Sequence, residues 1–595
     1  MSQIKKSFSL ELFLAIAIAV ACILRIINLD SREFWYDEVL SLLLSTGQKK
    51  LYAHPPDIPI ALAHYQPLLS LPIETGWGDI LQTWEKLLKG LVAEPHPPLF
   101  FIEQHIGLRL FGNSAATMRL FPAFYSLGSL VCAYGIGRKL LNHQGGLLFT
   151  AALGLNPFLL FHSLNVRMYS GMAFWTVLSG WATLELFYQD RETNKPQITE
   201  LQVVNQNTDS KLSLAAKISW SLILVASITA GIMTFYYFTI WVASLGIFVV
   251  LLDLMRAKEL TIQQENNYKN TSQNRYFKIL SIFFKSKRWQ HQSLLLITGF
   301  VITVPWLLWG TRQQLNNADL GRFKAGSNLI ETVWTHIQGI LATLGITLLT
   351  GDWASRLTPT VINLAGLIAI ALTIISMIYL WRKKQHQLLF TTVCLSILPL
   401  SIMVAIDVLS GKFTVGFGFG RSLIFILPGY LLLWTVAICK MKPKWQTYTA
   451  ITLLSCYFIT SVADFSLRQR SMFSDLAQII NQQPNTPTLI AMDSSAWGHV
   501  LRLAYYLPND LPIYLLAQSS GKLNTALDNT FKQQPEAYQR LILLNSDRPV
   551  WNPPMTPEQQ QKIDKTIAQE FRLTKQERLT GTWELDNFTL RVYDK

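Results

Sequence analysis

Charged residues are scarce in this 595-residue chain. Only 15% are Asp, Glu, Lys or Arg, against about 25% in a typical soluble protein. Half of the residues are hydrophobic, 12% are aromatic and the mean hydropathy is +0.26. This balance excludes an ordinary soluble enzyme, a disordered scaffold and a fibrous protein. It predicts a protein that crosses a membrane many times and carries an additional polar part.

Cysteine is scarce as well. The five cysteines all lie in apolar runs, and no pair has the spacing of a metal site. They indicate neither a disulfide framework nor a zinc centre, and a free cysteine in an apolar helix acts as a small apolar residue. The chain also lacks GxxxxGK[ST] and a strand-anchored GxGxxG, so it offers no motif for a soluble nucleotide.

The net charge of +14 is unevenly distributed. Residues 465–595 contain 14 basic and 13 acidic residues, so residues 1–464 carry +13. The surplus therefore lies between the apolar segments, where basic residues set membrane topology. This placement argues against nucleic-acid binding.

Eleven apolar runs are long enough to cross a bilayer as helices. The stretch Trp334–Thr350 is also apolar but contains Gly339 and Gly345, and it is followed by Gly351. We expect it to be interfacial or re-entrant. The eleven predicted spans lie near 9–28, 115–137, 145–164, 169–188, 216–236, 238–255, 291–309, 361–381, 388–407, 422–439 and 446–463.

Basic residues predict the orientation. Six groups fall on one side when the eleven spans are threaded, which makes that side and the N-terminus cytoplasmic. The tail is then extracytoplasmic. A cleaved signal peptide is the alternative for the first run, but the run continues past Ala19-Val20-Ala21 to Ile27. The groups are Lys5–Lys6, Arg138–Lys139, the loops 189–217 and 256–290, Arg382–Lys384 and the lysines of 440–444.

A long outer loop, residues 29–114, follows the first span and contains an acidic pair, Asp37-Glu38, flanked by aromatic residues. One such carboxylate can take a proton from an attacking hydroxyl, and the other can orient a group or help to hold a metal. A solvated acidic turn is the plainer interpretation. His96 precedes Pro97-Pro98, which suit the start of a helix running to Phe111.

Three arginines fall on the same outer side. Arg119 lies about one turn into the second span, Arg167 at the outer end of the third, and Arg421 at the start of the tenth. Each can snorkel to headgroups, but the planar fork of arginine also suits a phosphate. Because an acidic pair lies on the same side, we expect a polar site there.

These motifs together resemble the GT-C membrane glycosyltransferases. The resemblance rests on Phe34-Trp35-Tyr36-Asp37-Glu38, on His96-Pro97-Pro98-Leu99 and on Met118-Arg119-Leu120-Phe121-Pro122, and it covers roughly residues 10–440. The most similar branches are the protein O-mannosyltransferase, lipid A aminoarabinose transferase and RgtA/B/C/D-like enzymes.

The resemblance implies roles for individual residues. Asp37 would be the general base, and Glu38 would assist it or share a divalent metal. Arg119, Arg167 and Arg421 would bind the donor phosphate, although Arg421 is followed by Ser422 where relatives often have Tyr. His96, Tyr36 and Tyr169 would line the active site.

The resemblance also implies a reaction. A polyprenyl-phosphate-linked sugar would be the donor, and a lipid, glycan or protein would be the acceptor on the outer face of a bacterial plasma membrane. A single displacement would invert the anomeric centre. No cofactor is certain, and a divalent metal is possible. Two other functions stay open: a transporter or flippase for lipid-linked sugars, and a structural or polymer-export subunit.

The tail, residues 465–595, has ordinary soluble composition. Buried strands are expected at Thr488–Met492 and Leu541–Leu544, helices at Ser495–Tyr506 and Pro557–Glu570, and an antiparallel pair at the end. The sequence therefore predicts about eleven transmembrane helices in residues 1–464 and a small extracytoplasmic α/β domain in 465–595. Asp493 and His499 have no partner at diagnostic spacing, so we expect them to be structural.

Overall fold

The computed structural model describes residues 2–192, 214–268, 275–317, 323–326, 328–467, 471–550, 553–581 and 586–595. Helices dominate up to residue 467, and a small sheet follows. The helices are α1 (Ser2–Ile27), α2 (Tyr36–Ser45), α3 (Trp77–Leu91), α4 (Leu99–Phe111), α5 (Ala115–Leu140), α6 (His143–Leu155), α7 (Pro157–Ser163), α8 (Tyr169–Glu192), α9 (Leu214–Thr234), α10 (Phe238–Tyr268), α11 (Arg275–Lys285), α12 (Lys287–Trp306), α13 (Arg312–Asn317), α14 (Leu329–Gly345), α15 (Pro359–Arg382), α16 (His386–Ser410), α17 (Leu427–Cys439), α18 (Pro443–Leu467), α19 (Met472–Asn481), α20 (Trp497–Tyr506), α21 (Ser520–Gln533) and α22 (Pro557–Ile567).

Ten helical segments among the described residues are long and apolar enough to cross a membrane. The bent pair α6–α7, broken by 64°, raises the number to eleven. The predicted polytopic helical architecture is thus confirmed, but two segments differ from the sequence expectation. Ile330–Arg356 is among the ten, whereas Tyr169–Glu192 is not.

The low hydropathy of α8 has a packing explanation. Its polar side chains Ser170, Thr176, Ser179 and Thr183 are buried inside the bundle. Its 24 residues span about 36 Å at 1.5 Å per residue, and Gly128 and Gly135 of α5 lie against its Phe174 and Trp181. We therefore retain α8 as a full-length member of the bundle.

One end of the bundle carries the described parts of the basic loops. We name the opposite end, which carries the 29–114 loop, the loop end. Parts of two basic loops, residues 193–213 and 269–274, lie outside the described residues. The contacts that join the basic end are Lys139–Glu185, Gln144–Gln446, Tyr188–Gln387 and Tyr379–Lys440.

Contacts also indicate how Ile330–Arg356 is threaded. Just before it, the Ala325 amide donates to the Gly411 carbonyl (3.3 Å), which follows α16 at the loop end. Helix α15 finishes at the basic end, where Tyr379 donates to the Lys440 carbonyl (2.8 Å). Helix α15 therefore starts at the loop end. The chain enters α14 from the loop end and is back at that end where α15 begins. The expectation that Trp334–Thr350 is interfacial or re-entrant stays a prediction, and these contacts support it.

The tail supplies five strands of a six-stranded sheet with the order β1-β3-β2-β4-β6-β5. The central strands β3, β2 and β4 are parallel, and β6 and β5 continue the sheet antiparallel. This confirms the predicted small α/β domain with a closing antiparallel pair. The strands are β1 (Ile60–Ala61), β2 (Thr488–Met492), β3 (Ile513–Ala517), β4 (Arg540–Ser546), β5 (Arg572–Leu579) and β6 (Phe588–Asp594).

Strand β1 belongs to the first outer loop, not to the tail. Ile60 and Ala61 pair antiparallel with Leu515 and Tyr514 of β3. The sheet is thus completed from a segment more than 400 residues upstream in the chain. The boundary at residue 464 between the transmembrane domain and the C-terminal domain stays a prediction. The 29–114 loop contacts both domains.

Candidate active site

The Glu33–Glu38 turn joins the end of α1 to the start of α2. Asp37 and Glu38 lie in the first turn of α2, where the positive end of the helix dipole favours carboxylates. Successive helical residues point about 100° apart. The two carboxylates therefore face different surroundings.

Asp37 faces two of the predicted arginines. Its Oδ2 atom lies 3.2 Å from Arg421 Nη1 and 4.0 Å from Arg167 Nη2. The side chains of Asp37 and Arg421 are about one-fifth exposed, whereas that of Arg167 is 7% exposed. Since two cations face one anion, the cluster carries a net charge of +1 at a position that solvent reaches.

Arg167 also joins α2 to the His96 loop. Its Nη1 donates to Ser41 Oγ (3.1 Å), and its Nη2 lies 3.0 Å from His96 Nε2. The His96 ring stacks on Phe235, with centroids 5.6 Å apart. As predicted, a helix follows the two prolines and ends at Phe111.

A buried glutamine holds the His96 segment in place. Gln314 Nε2 donates to the carbonyls of His96 (2.9 Å) and Leu91 (3.0 Å). Its Oε1 accepts from the Tyr236 hydroxyl at 2.6 Å. Gln314 was missed in the sequence because it lies beyond the predicted end of an apolar run and belongs to no motif.

Arg421 is positioned by a tight turn. Gly418, Phe419 and Gly420 all adopt the left-handed conformation, with φ of 62°, 57° and 74°. Such φ values favour glycine, and a Cβ on Gly418 would lie 2.6 Å from Arg421 Nε. The glycines therefore let the chain fold back against the arginine that faces Asp37.

Asp407, at the end of α16, fixes the approach to this turn. Its Oδ2 accepts from the amides of Thr414 (2.7 Å) and Val415 (3.1 Å), and its Oδ1 accepts from the Thr414 hydroxyl. The Val415 carbonyl in turn accepts from Thr343 Oγ1 at 2.8 Å. Helix α14 thus supports the segment that carries Arg421.

Glu38 is fully buried and paired with Arg119. Arg119 Nε and Nη2 donate to Glu38 Oε1 (3.1 Å) and Oε2 (3.0 Å), and both side chains are 0% exposed. The amides of Val166 and Trp35 donate to the same carboxylate. The remaining N–H groups of Arg119 donate to loop carbonyls at Leu29, Arg32 and Glu33.

The two predicted tyrosines lie in different places. Tyr169 is 3% exposed and lies under Arg421, whose guanidinium carbon is 5.7 Å from the ring centroid. Tyr36 packs against the C-terminal domain, its ring against Gly498. Burial, followed by the charge of Asp37, raises the pKa of Tyr36, so its phenol is neutral at physiological pH.

No group of three or more His, Cys, Asp and Glu side chains that could hold a metal ion occurs among the described residues. Glu38 has both carboxylate oxygens engaged by the Arg119 guanidinium and by backbone amides. Asp37 faces two guanidinium groups instead of other carboxylates. The pair predicted as metal candidates therefore does not fit a metal ion.

Asp493 and His499, which we expect to be structural, both lie inside the C-terminal domain. Asp493 Oδ1 accepts from the Ser546 amide (2.8 Å), and His499 Nδ1 lies 2.9 Å from Ser494 Oγ. Both side chains are fully buried. Burial raises the pKa of Asp493 to about 7.

No family model and no curated protein matches the sequence. Among solved structures, the chain is similar to the oligosaccharyltransferase AglB of Archaeoglobus fulgidus in complex with an inhibitory peptide and a dolichol-phosphate. That match has 10% identity, covers 89% of this chain and 69% of that chain, and has a TM-score of 0.43. ArnT from Cupriavidus metallidurans bound to undecaprenyl phosphate matches with 13% identity, 98% coverage of each chain and a TM-score of 0.37. Both are GT-C glycosyltransferases.

Proposed function

We propose that the protein is a membrane glycosyltransferase that moves a sugar from a polyprenyl-phosphate carrier to an acceptor hydroxyl. The observation that carries this proposal is the accessible carboxylate of Asp37, which faces Arg421 and Arg167 at the loop end of the bundle. The motifs around these residues resemble those of GT-C glycosyltransferases. A site at the membrane surface also lets a lipid donor keep its prenyl chain in the bilayer.

The charge of the cluster suits a phosphate. Arg421 and Arg167 exceed Asp37 by one positive charge, and a guanidinium fork binds phosphate oxygens with two parallel hydrogen bonds. The Arg421 side chain is about one-fifth exposed, so part of it is open to a ligand. Arg167 is held by Ser41 and His96, which fixes the second cation for the same group.

The chemistry follows from this arrangement. Asp37 takes the proton of the acceptor hydroxyl, and the oxygen attacks the anomeric carbon of the donor sugar. The bond between that carbon and the phosphate oxygen breaks, and the polyprenyl phosphate leaves with an added negative charge. Arg421 and Arg167 stabilise this charge as it develops. A single displacement of this kind inverts the anomeric centre.

Glu38 and Arg119 have a different role in this proposal. Their bidentate pair is buried and its hydrogen-bonding capacity is engaged by the loop. We assign them to holding the Glu33–Glu38 turn, and we assign phosphate binding to Arg167 and Arg421. No step is routed through a metal ion.

The proposed setting is the plasma membrane of a bacterium. The basic loops lie at the end opposite the site, and basic residues accumulate on the cytoplasmic side. The site and the C-terminal domain are then extracytoplasmic. A lipid, glycan or protein hydroxyl can serve as the acceptor.

A flippase for lipid-linked sugars is the alternative function. Ionisable groups deep in the membrane and paired repeats of broken helices are typical of transporters. The Asp37 cluster lies instead at the loop end. Substitution of Asp37 separates the two functions, because a flippase needs no general base there.

The test measures transfer from radiolabelled polyprenyl-phosphate sugars in membranes that contain wild type, Asp37→Asn or Arg421→Gln. Loss of a general base lowers turnover by about 10²- to 10⁴-fold, so we expect Asp37→Asn to bind undecaprenyl phosphate but to transfer little. Arg421→Gln should raise the donor KM by roughly tenfold or more, because a charge-assisted bond to phosphate is lost.

Asp30→Asn is the matched control, because Asp30 is an exposed carboxylate of the same loop. It should transfer at the wild-type rate. Equal transfer by wild type and Asp37→Asn would contradict the role of Asp37. Translocation of the lipid-linked sugar without transfer would favour the flippase.

A further inference from the structure

Helix α20 of the C-terminal domain contacts the Glu33–Glu38 turn. It follows strand β2, which lies between β3 and β4 in the sheet. Just after β2, Asp493 Oδ1 accepts a hydrogen bond from the Ser546 amide at the end of β4 (2.8 Å). The second residue of helix α20, Gly498, contacts Tyr36.

Helix α20 contacts the turn through its backbone and two side chains. A Cβ on Gly498 would lie 2.7 Å from Cδ2 and Cε2 of Tyr36, so the ring lies directly on the helix backbone. The Phe34 amide donates to the Tyr506 hydroxyl at 2.6 Å. Arg502 Nη1 donates to the Phe34 carbonyl at 3.4 Å. The amide and the carbonyl of Phe34 are thus both hydrogen-bonded to one helix of the C-terminal domain.

Helix α19 holds the residue before Phe34. The carboxylate of Glu33 accepts hydrogen bonds from the amides of Met472 (3.0 Å) and Phe473 (2.9 Å) at the start of that helix. Carboxylates are favoured at helix N-termini. Phe473 also stacks on Tyr506 of α20, with the rings 6.2 Å apart and parallel within 2°. The two helices therefore hold Glu33 and Phe34 as one unit.

We infer that helix α20 of the C-terminal domain positions the catalytic carboxylate, with Gly498, Arg502 and Tyr506 as positioning residues for Asp37. This inference rests on the proposed function. Tyr36 and Asp37 are adjacent, so a displacement of the Tyr36 ring is transmitted to Asp37. A displacement of about 1 Å at a reacting group costs up to about 10²-fold in rate.

The test uses Gly498→Ala in the full chain. The added methyl group forces the Tyr36 ring to move, so we expect kcat to fall by about 10- to 100-fold. The donor KM and the binding of undecaprenyl phosphate should change less than kcat, because the hydrogen bonds and ion pairs described for Arg421 and Arg167 do not involve α20. The matched control is Gly521→Ala in α21, where the nearest atom to a new Cβ is 3.8 Å away.

A second background separates positioning from loss of stability. In Tyr36→Ala the ring and its Cγ atom, which lies 2.9 Å from a Cβ on Gly498, are both absent. Adding Gly498→Ala to this background should therefore change kcat by less than about twofold, the scale of near-additive independent effects. An equal loss in both backgrounds, or an unchanged kcat in the single variant, would overturn the inference.

Amide hydrogen exchange of residues 34–38 gives a readout that is independent of activity. Gly498→Ala should speed exchange in this turn, and Gly521→Ala should not. If wild type transfers no sugar, the proposed function fails while the exchange rates still decide the coupling. Unchanged exchange in Gly498→Ala would overturn the inference by itself.

Discussion

Asp37 and Glu38 are neighbours in the first turn of α2, but their carboxylates lie in opposite environments. Asp37 is one-fifth exposed and faces two arginines across an accessible cluster. Glu38 is fully buried, and its oxygens accept from Arg119 and from two backbone amides. Two residues of the same chemistry thus differ in solvent access, and our proposal gives reaction to the accessible carboxylate and architecture to the buried one.

The two ion pairs show what makes an arginine available to a ligand. Arg119 donates to a carboxylate and to three carbonyls, so a phosphate would have to displace bonds that hold the loop. Arg421 has Asp37 as its ionic partner and is about one-fifth exposed. Exposure and incomplete hydrogen bonding, more than the presence of a guanidinium, therefore distinguish the proposed phosphate site.

Removing the charge of Glu38 should have the largest effect on stability. Glu38→Gln leaves Arg119 buried without a counter-charge, which costs about 3–5 kcal/mol. Asp37→Asn should cost less than Glu38→Gln, because Asp37 and Arg421 keep contact with solvent, which screens their charges. Thermal unfolding of the two purified variants measures the difference. Equal melting temperatures would contradict the conclusion that Glu38 stabilises the fold more than Asp37 does.

A buried carboxylate without an arginine partner sharpens the same comparison. Burial raises the pKa of Asp493 to about 7, above its unfolded value near 3.9. The folded state therefore holds its proton more tightly, and this contribution to stability is present below about pH 4 and is lost as the pH rises to about 7.

Asp493→Asn should remove the loss of stability that accompanies rising pH, and the asparagine oxygen can still accept from the Ser546 amide. Relative to wild type, the variant should gain on the order of 1–4 kcal/mol between pH 4 and pH 8. Melting temperatures of both proteins across this range measure the gain. A constant difference between them at all pH values would contradict the raised pKa.

The smallest effect is expected at Ser41. Ser41→Ala removes one hydrogen bond to Arg167, worth about 0.5–1.5 kcal/mol, so the donor KM should rise by about two- to tenfold. Ser45→Ala is the control, because that buried hydroxyl of the same helix donates to the Ser41 carbonyl and not to Arg167. If both variants raise the donor KM equally, the hydrogen bond from Arg167 to Ser41 does not contribute to donor binding.

Several structural elements followed from local sequence pattern. Thr488–Met492 is strand β2 because five consecutive apolar or β-branched residues are buried on both faces of a parallel sheet. The helix after Pro97-Pro98 ends where Gly112 has a φ of 82°. Apolar runs of sufficient length likewise predicted the helices of the bundle. In each case the signal lies within a short window of sequence.

Long-range pairing could not be read in the same way. Strand β1 is two residues long and joins a sheet formed by residues 488–594, and Gln314 reaches His96 from another helix. Helix α8 has buried hydroxyls that lower its hydropathy, although it packs along α5. These features depend on partners that are distant in sequence, and no local periodicity encodes them.

The sequence by itself determined the membrane class of this protein, the α/β character of its tail and the set of ionisable residues from which a site could be built, because composition and short-range periodicity control those properties. Only the tertiary structure decided how the set is divided. Packing sets which side of α2 faces the arginine cluster, the burial of Arg119 and the fold-back turn before Arg421. Packing controls solvent exposure, and exposure separates a carboxylate that can react from one that holds the fold.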